Sequence, residues 1–341
     1  MKDRLNIAVI GTGRMGSVHV RNLVRQIPEA NLVAVCDIRL EVAQALADEL
    51  GIPRAVRDYR ELLEDPTIPA VLIATSTDTH WFIVRDAAQA GKHIFCEKPL
   101  ALNLTDIDVA LAAVEAAGVK LQIGFNRRFD PAFRRVRDIV ASGAIGRPCI
   151  LRIAARDPEP PSVEYAKASG GMFLDMTIHD FDMARFLVGE VEEIYAMGNV
   201  LVAPWLAEAG DVDTDIVTLR FANGALGVID NSRQAVYGYD QRLEVFCSEG
   251  VAQAENEAVD TVIVGDRAGM HAALPPRFFM QRYPETYVTE VREFIACVQE
   301  DREPPVTGRD GRISVVMGYA AWKSYRENRP VKLSEIGGIG C

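Results

Sequence analysis

At 341 residues the chain has room for about two domains, and a composition of 49% hydrophobic and 25% charged residues supplies an ordinary globular core. A net charge of −11 excludes a nucleic-acid backbone as the expected partner, since that contact needs clustered positive charge; the basic run in FNRRFD (125–130) is too short to reverse it. No apolar run approaches the ~18 residues of a membrane span, the N-terminal LNIAVI is shorter than a signal-peptide core, and six scattered cysteines without a C-x-x-C pair fit reduced thiols in a cytoplasmic protein.

NIAVI (6–10) is a short apolar run ending at Gly11, as a buried parallel strand would be. Met15–Gln26 has helical length and stops before Pro28. NLVAVCD (31–37) is a second buried strand, followed by a helix over Glu41–Leu50 that stops at Gly51. The alternation continues through AVLIAT (70–75), a helix to Ala90, HIFCE (93–97), a helix over Asp106–Ala117 and KLQIGF (120–125). Strands alternating with helices of this length imply βαβ units and a doubly wound parallel sheet over residues 1–124.

Within the first unit of that series, GTGRMG places Gly11, Gly13 and Gly16 in G-x-G-x-x-G spacing between a strand and a helix. Such spacing serves a tight turn, close approach of a pyrophosphate, and close helix–strand packing in a Rossmann domain. Asp37 ends the second strand at the spacing where an acid meets the adenosine ribose hydroxyls. A carboxylate there favours NAD over NADP, whose 2′-phosphate it would repel, although Arg39 softens that repulsion. Candidate cofactor contacts are therefore Gly11, Thr12, Gly13, Arg14, Met15 and Gly16 with Asp37, Ile38 and Arg39. Thr75 and His80, at and just past the end of AVLIAT, and Glu97 and Lys98, at the end of HIFCE, lie on the edge where open α/β sheets bind ligands and complete the set.

From CILRIAARD (149–157) onward the pattern changes. EEIYAMGNVLV, DIVTLRF, ALGVIDNSR and QRLEVFC read as strands, with Asn223-Gly224 as a hairpin signal between two of them. Residues 125–341 are thus expected to form an α+β domain with a large, mostly antiparallel open sheet, ending in a helix near Arg312–Asn328 that packs back on the first domain. GGMFLDMTIHDFD (170–182) reads as one mostly apolar helix carrying Asp175, His179 and Asp182. Positions 175 and 179 would share one helical face, and an Asp among apolar neighbours needs a partner. The five histidines, at 19, 80, 93, 179 and 271, show no H-x-x-x-H or cysteine-rich set, so no metal is expected; His179, Asp180 and Asp182 are the nearest to a ligand group.

AVIGTGRMG, VCD, CEKPLA and SGGMFLDMTIHDFDMARFL together resemble the Gfo/Idh/MocA family of NAD(P)-dependent sugar and polyol oxidoreductases. GFNRRFDPAF, AARDPEPPSVEY, NSRQAVYGYDQR and VTGRDGR resemble its members that act on myo-inositol. The resemblance implies a catalytic set of Lys98, Asp175 and His179, a cis bond at Lys98–Pro99, oxidation of a cyclic polyol at the expense of NAD, and a tetramer. Polyol contacts are then expected from Lys98, Asn126, Arg127, Asp157, Asp175, His179 and Tyr237. Two departures from one branch stand out: Asn126 where that branch has Met, and Ala155-Arg156-Asp157-Pro158 where it has His-Arg-Asn-Pro. The alternatives are a dehydrogenase of another polyol, such as scyllo-inositol or an anhydrosugar, and a non-catalytic nucleotide or sugar sensor.

Overall fold

The computed structural model describes residues 4–337. They form two compact units: one takes the chain up to Asn126 together with Glu285–Ile313, the other takes Arg127–Pro284 and the chain from Ser314. The return of Glu285–Ile313 to the first unit differs from a single division at residue 124. Among the described residues no helix is long and apolar enough to cross a membrane. Cys36, Cys96, Cys149, Cys247 and Cys297 are free thiols; Cys341 lies outside the described residues.

The first unit runs β1 (Leu5–Ile10), α1 (Arg14–Arg25), β2 (Ala30–Cys36), α2 (Leu40–Leu50), β3 (Ala55–Val56), α3 (Arg60–Leu63), β4 (Ala70–Ile73), α4 (Thr77–Gln89), β5 (His93–Glu97), α5 (Leu104–Ala117) and β6 (Leu121–Gly124). Its sheet is wholly parallel, in the order β3-β2-β1-β4-β5-β6. Chain direction across the sheet reverses between β1 and β4, the place where doubly wound sheets bind ligands. The sequence pattern predicts five of the six strands; β3 has two residues and carries no apolar run of its own. Ile7, Val9, Leu72 and Phe95 are completely buried in this sheet, as strands covered on both faces require. Val288, Val291, Phe294 and Ile295, from the later helix α11 introduced below, join the same core.

The second unit holds α6 (Pro131–Ser142), β7 (Pro148–Arg156), α7 (Val163–Ser169), α8 (Met172–Asp175), α9 (Ile178–Val188), β8 (Val191–Asn199), β9 (Thr214–Phe221), β10 (Leu226–Ser232), β11 (Asp240–Cys247) and β12 (Gly250–Ala254). An exposed hairpin of β13 (Ile263–Asp266) and β14 (Gly269–Ala272) and the short α10 (Phe279–Arg282) follow. Next come α11 (Pro284–Glu300), which belongs with the first unit from Glu285, α12 (Gly308–Glu327) and β15 (Val331–Lys332). The large sheet is ordered β12-β11-β7-β10-β9-β8-β15, antiparallel throughout except for the β7–β10 pair. The Asn223-Gly224 hairpin joins β9 to β10 as expected. Along β9, buried Asp215, Val217, Leu219 and Phe221 alternate with more exposed residues, the period of a sheet packed on one face. On the packed side lie α6 and α9. Asp130 caps α6, its carboxylate accepting the main-chain N–H groups of Ala132 and Phe133 at 3.0 Å each, with Pro131 in the first turn.

The single helix expected over 170–182 is two. Helix α8 ends at Asp175 and α9 begins at Ile178. Between them Thr177 N–H reaches back to the Met172 carbonyl at 2.9 Å, while Asp180 N–H takes the Thr177 carbonyl at 2.9 Å. The buried Thr177 hydroxyl donates to Asp215 at 2.7 Å and accepts Asn231 Nδ2 at 3.1 Å. Side-chain hydrogen bonds to the sheet thus hold Thr177 where an uninterrupted helix would have turned it, a tertiary override of local periodicity.

Candidate active site

The glycine turn of the first unit is built from packing. Gly11 has φ +93°, and a Cβ there would lie 2.6 Å from the Ala74 carbonyl oxygen. A Cβ on Gly16 would strike the Gly11 carbonyl. Gly13 is different, because a Cβ there would meet no protein atom within 4 Å. Protein packing alone gives no reason for glycine at 13, whereas close approach of a pyrophosphate does. Helix α1 starts at this turn with no side-chain cap and no acid in its first turn, so its N-terminal amides suit an anion.

Asp37 faces the same turn. Its Oδ2 accepts the Thr12 N–H at 2.9 Å and the Thr12 hydroxyl at 2.8 Å, and its Oδ1 accepts the Arg39 N–H at 3.0 Å. Burial pushes the carboxyl up, but these donors outweigh it and hold Asp37 below the usual carboxylate range. The group is therefore an anion that can still accept a ribose hydroxyl. Of the expected cofactor contacts, the structure brings together Thr12, Asp37 and Arg39, and leaves Ile38 exposed. These residues fit a dinucleotide.

This geometry separates the glycines experimentally. Gly13→Ala should change unfolding stability by less than ~0.5 kcal/mol, as at an open site, while weakening NAD binding. Gly16→Ala should cost ~1–3 kcal/mol through overpacking. Equal unfolding midpoints for the two variants would contradict the assignment.

At the ends of β4 and β5 lie Thr75, His80, Glu97 and Lys98. The Lys98–Pro99 bond is cis, as the resemblance implies. His80 is buried, with Nδ1 2.9 Å from the Pro99 carbonyl and Nε2 3.1 Å from the Thr75 carbonyl. Burial lowers its pKa and the two carbonyls partly offset this, and the ring ties α4 to the Lys98–Pro99 turn. Glu97 Oε1 sits 2.6 Å from His19 Nε2, a pairing that sequence reading passed over because His19 looks like any residue of α1.

In the second unit, Asp175 and His179 are the two residues between Gly171 and Ala184 that are not fully buried. The carboxylate of Asp175 accepts Arg233 Nη1 at 3.0 Å and the Tyr165 hydroxyl at 3.1 Å. Arg233, itself buried, also lies 3.9 Å from Asp157 and 3.9 Å from Asp211. One guanidinium thus anchors three carboxylates, two of them expected site residues. Only the motif NSRQAVYGYDQR contained Arg233, and nothing in its spacing marked the residue as central.

The remaining expected residues have partners of their own. Arg127 is buried against Asp180 at 2.5 Å, with the Tyr239 hydroxyl at 3.4 Å. Arg128 pairs Asp182 through two bonds of 2.8 and 2.6 Å. Two consecutive arginines are therefore matched to two carboxylates on α9, and both acids of the weighed metal set are in ion pairs. Tyr237 donates to Asp240 at 2.5 Å and accepts Arg156 at 3.2 Å. Asn126 Nδ2 donates to Thr286 at 3.3 Å within the first unit.

Comparison with known proteins agrees with this geometry. Residues 5–125 match the profile described as an oxidoreductase family with an NAD-binding Rossmann fold, and residues 133–253 match the GFO/IDH/MocA C-terminal domain. The chain is 49% identical over 335 residues to the myo-inositol 2-dehydrogenase of Thermotoga maritima, covering 98% of this chain and 100% of that one. It is 39% identical to the NAD(+) scyllo-inositol 2-dehydrogenase of Bacillus subtilis, covering 98% and 97%. A solved structure of the Lactobacillus casei myo-inositol dehydrogenase in complex with NAD(H) and myo-inositol superposes with a TM-score of 0.87 at 29% identity, covering 99% of this chain and 98% of that one. With an open Gly13, an ionised Asp37 and these matches over both units, the chain belongs to the Gfo/Idh/MocA family of NAD-binding oxidoreductases.

Proposed function

We propose that the protein is an NAD-dependent dehydrogenase that oxidises the secondary hydroxyl of a cyclic polyol, myo-inositol to 2-keto-myo-inositol (scyllo-inosose). The observation that carries this reading is the pair Asp175 and His179, half-buried in a run whose other members are fully buried. Bound NAD supplies the hydride acceptor. It would be held by the Gly11–Gly16 turn, the N-terminus of α1 and Asp37. His179 accepts the hydroxyl proton as the alcohol is oxidised; an imidazole, with an ordinary pKa near ~6.5, is suited to that transfer at neutral pH. Asp175, kept in place by Arg233 and Tyr165, orients the imidazole and favours its charged form. Lys98 donates to the same oxygen and stabilises its developing negative charge. Asn126, Arg127, Asp157 and Tyr237 are assigned to the polyol end of the site. Of these, Arg127 acts through Asp180, which takes its guanidinium.

The test is NADH absorbance as the protein and NAD+ meet a panel of cyclic polyols and sugars. Turnover on myo-inositol well above that on scyllo-inositol or glucose supports the assignment. Preference for another polyol keeps the chemistry and moves the specificity to the Asn126 and Ala155 departures. Tight nucleotide binding with no reduction by any member of the panel would favour a sensor.

A homo-oligomer, a tetramer by resemblance, completes the proposal, with a cytoplasmic location fitted to its free thiols. Val251, Phe246, Ile150 and Leu226 form a register-matched row across β12, β11, β7 and β10, each at least 36% exposed in the isolated chain. A contiguous apolar row of this kind marks a surface that another copy covers. Ile150→Glu should convert the assembly to smaller species in size-exclusion chromatography with light scattering. An unchanged mass would place the interface elsewhere.

A further inference from the structure

His19 on α1, Glu97 at the end of β5 and Glu290 on α11 meet inside the first unit, their side-chain polar atoms all within 4.8 Å of one another. None of the three is needed by the proposed proton transfer. The 2.6 Å between His19 Nε2 and Glu97 Oε1 is a hydrogen-bond length. Two ligands bound to one cation at ~2.0–2.2 Å stand further apart at tetrahedral angles, so this pair is spaced for a shared proton.

Glu290 is the third member and the telling one. It is completely buried, and neither of its carboxylate oxygens has a hydrogen-bond partner among the described residues. Gln122 on β6 donates its Nε2 to the Glu290 main-chain carbonyl at 2.8 Å, and its own Oε1 is a buried acceptor without a partner. His19 Nδ1 is likewise buried without a partner, and with Nε2–H directed at Glu97 it is one more acceptor; the cluster therefore holds more acceptors than donors, and one extra proton on Glu290 supplies a missing donor. The titratable groups facing Glu290 are Glu97 from β5 and His19 from α1; β6 contributes the uncharged Gln122, and α11 itself contributes Tyr287, packed edge-on against the His19 ring at a centroid distance of 6.0 Å. Burial and the charge of Glu97 both push the Glu290 carboxyl well above the ordinary carboxylate range.

We propose that Glu290 is carried as a neutral acid and that His19, Glu97 and Glu290 form a buried proton store next to Lys98, a pH-sensitive switch whose stabilising effect on the first unit is lost as pH rises from the acid range and whose discharge at alkaline pH slows turnover. The turnover clause rests on the assignment of Lys98 above; the stability clause does not. The sign follows from linkage. A carboxyl with a raised folded pKa contributes its full stability below the unfolded value of ~4.3, and loses it as pH rises toward the folded value.

The experiment compares Tm and the pH–rate profile of the intact protein with those of Glu290→Gln, which keeps the shape and neutrality of the protonated acid. The two should melt alike near pH 5, and the variant should melt at least ~2 °C higher by pH 8. The alkaline fall in kcat should be weaker in the variant. Parallel Tm curves overturn the proposal. So does a variant less stable than wild type at pH 7–8 together with a wild-type Tm lowered by a chelator, the signature of an ionised Glu290 holding a metal. If Glu290→Gln fails to fold, infrared spectroscopy of the wild type decides: a protonated carboxyl band that persists at pH 7 and moves when glutamate is 13C-labelled supports the store, and its absence overturns it. A wild type inactive on every polyol would refute the Lys98 assignment alone, leaving the melting and infrared results to stand.

Discussion

Replacing His179 by alanine is expected to lower kcat on the preferred polyol by about 10²–10⁴-fold, the usual contribution of a positioned general base, with NAD affinity nearly unchanged. The imidazole lies on α9 in the second unit, whereas the glycine turn and Asp37 are in the first. The variant should also fold normally, because His179 is only half-buried and its loss opens no large cavity in the core. Stopped-flow hydride transfer together with NAD titration checks both halves of the expectation. Turnover within a few-fold of wild type would remove His179 from the proton step. A parallel loss of NAD binding would instead place the residue at the nucleotide.

The second large effect is structural and centres on Arg233. Replacing it by methionine removes a buried cation that faces Asp175, Asp211 and Asp157 together. Asp211 is itself buried, and burial already pushes its carboxyl up against the opposing Met172 amide and Arg233. Leaving a buried charge without its partner costs ~3–5 kcal/mol, to be read as a drop in the urea midpoint at constant slope. The loss should depend on pH in a definite sense. Without Arg233 the carboxylates hold their protons more tightly in the folded state, so the variant weakens as pH rises above the unfolded carboxylate pKa of ~3.9. The deficit relative to wild type should therefore shrink toward pH 4. A constant deficit from pH 4 to 8 would mean that the guanidinium acts through packing and not through charge. Arg233→Lys should recover part of the stability, since it restores the charge without the planar fork.

The contrast between these two residues shows what kind of information each level holds. His179 is legible in the sequence because it sits in a motif beside a carboxylate, on a segment otherwise too apolar for either. Arg233 is not, because its role is defined by three carboxylates that are 76, 58 and 22 positions away in the chain and meet it only through the fold. His19 and Glu290 behave similarly: each is an unremarked polar residue on a helix until the sheet brings Glu97 between them. Thr177 shows the converse error. Local periodicity called for one helix, and hydrogen bonds to Asp215 on β9 and Asn231 on β10 broke it.

The sequence by itself determined the alternation of strands and helices, the parallel sheet, the glycine turn with Asp37 and the antiparallel character of the second half. These are written in short-range periodicity and in turn residues, which local sterics and burial enforce within a few positions of the chain. Tertiary structure decided which unit the apolar face of α11 covers, where the 170–182 segment bends, and which charge neutralises which. An amphipathic helix such as Pro284–Glu300 announces that Val288, Val291, Phe294 and Ile295 must be buried, but any apolar surface would satisfy that demand. Long-range ion pairs are less specified still: a guanidinium attracts every carboxylate, and only the backbone that positions Arg233 among Asp157, Asp175 and Asp211 selects its partners.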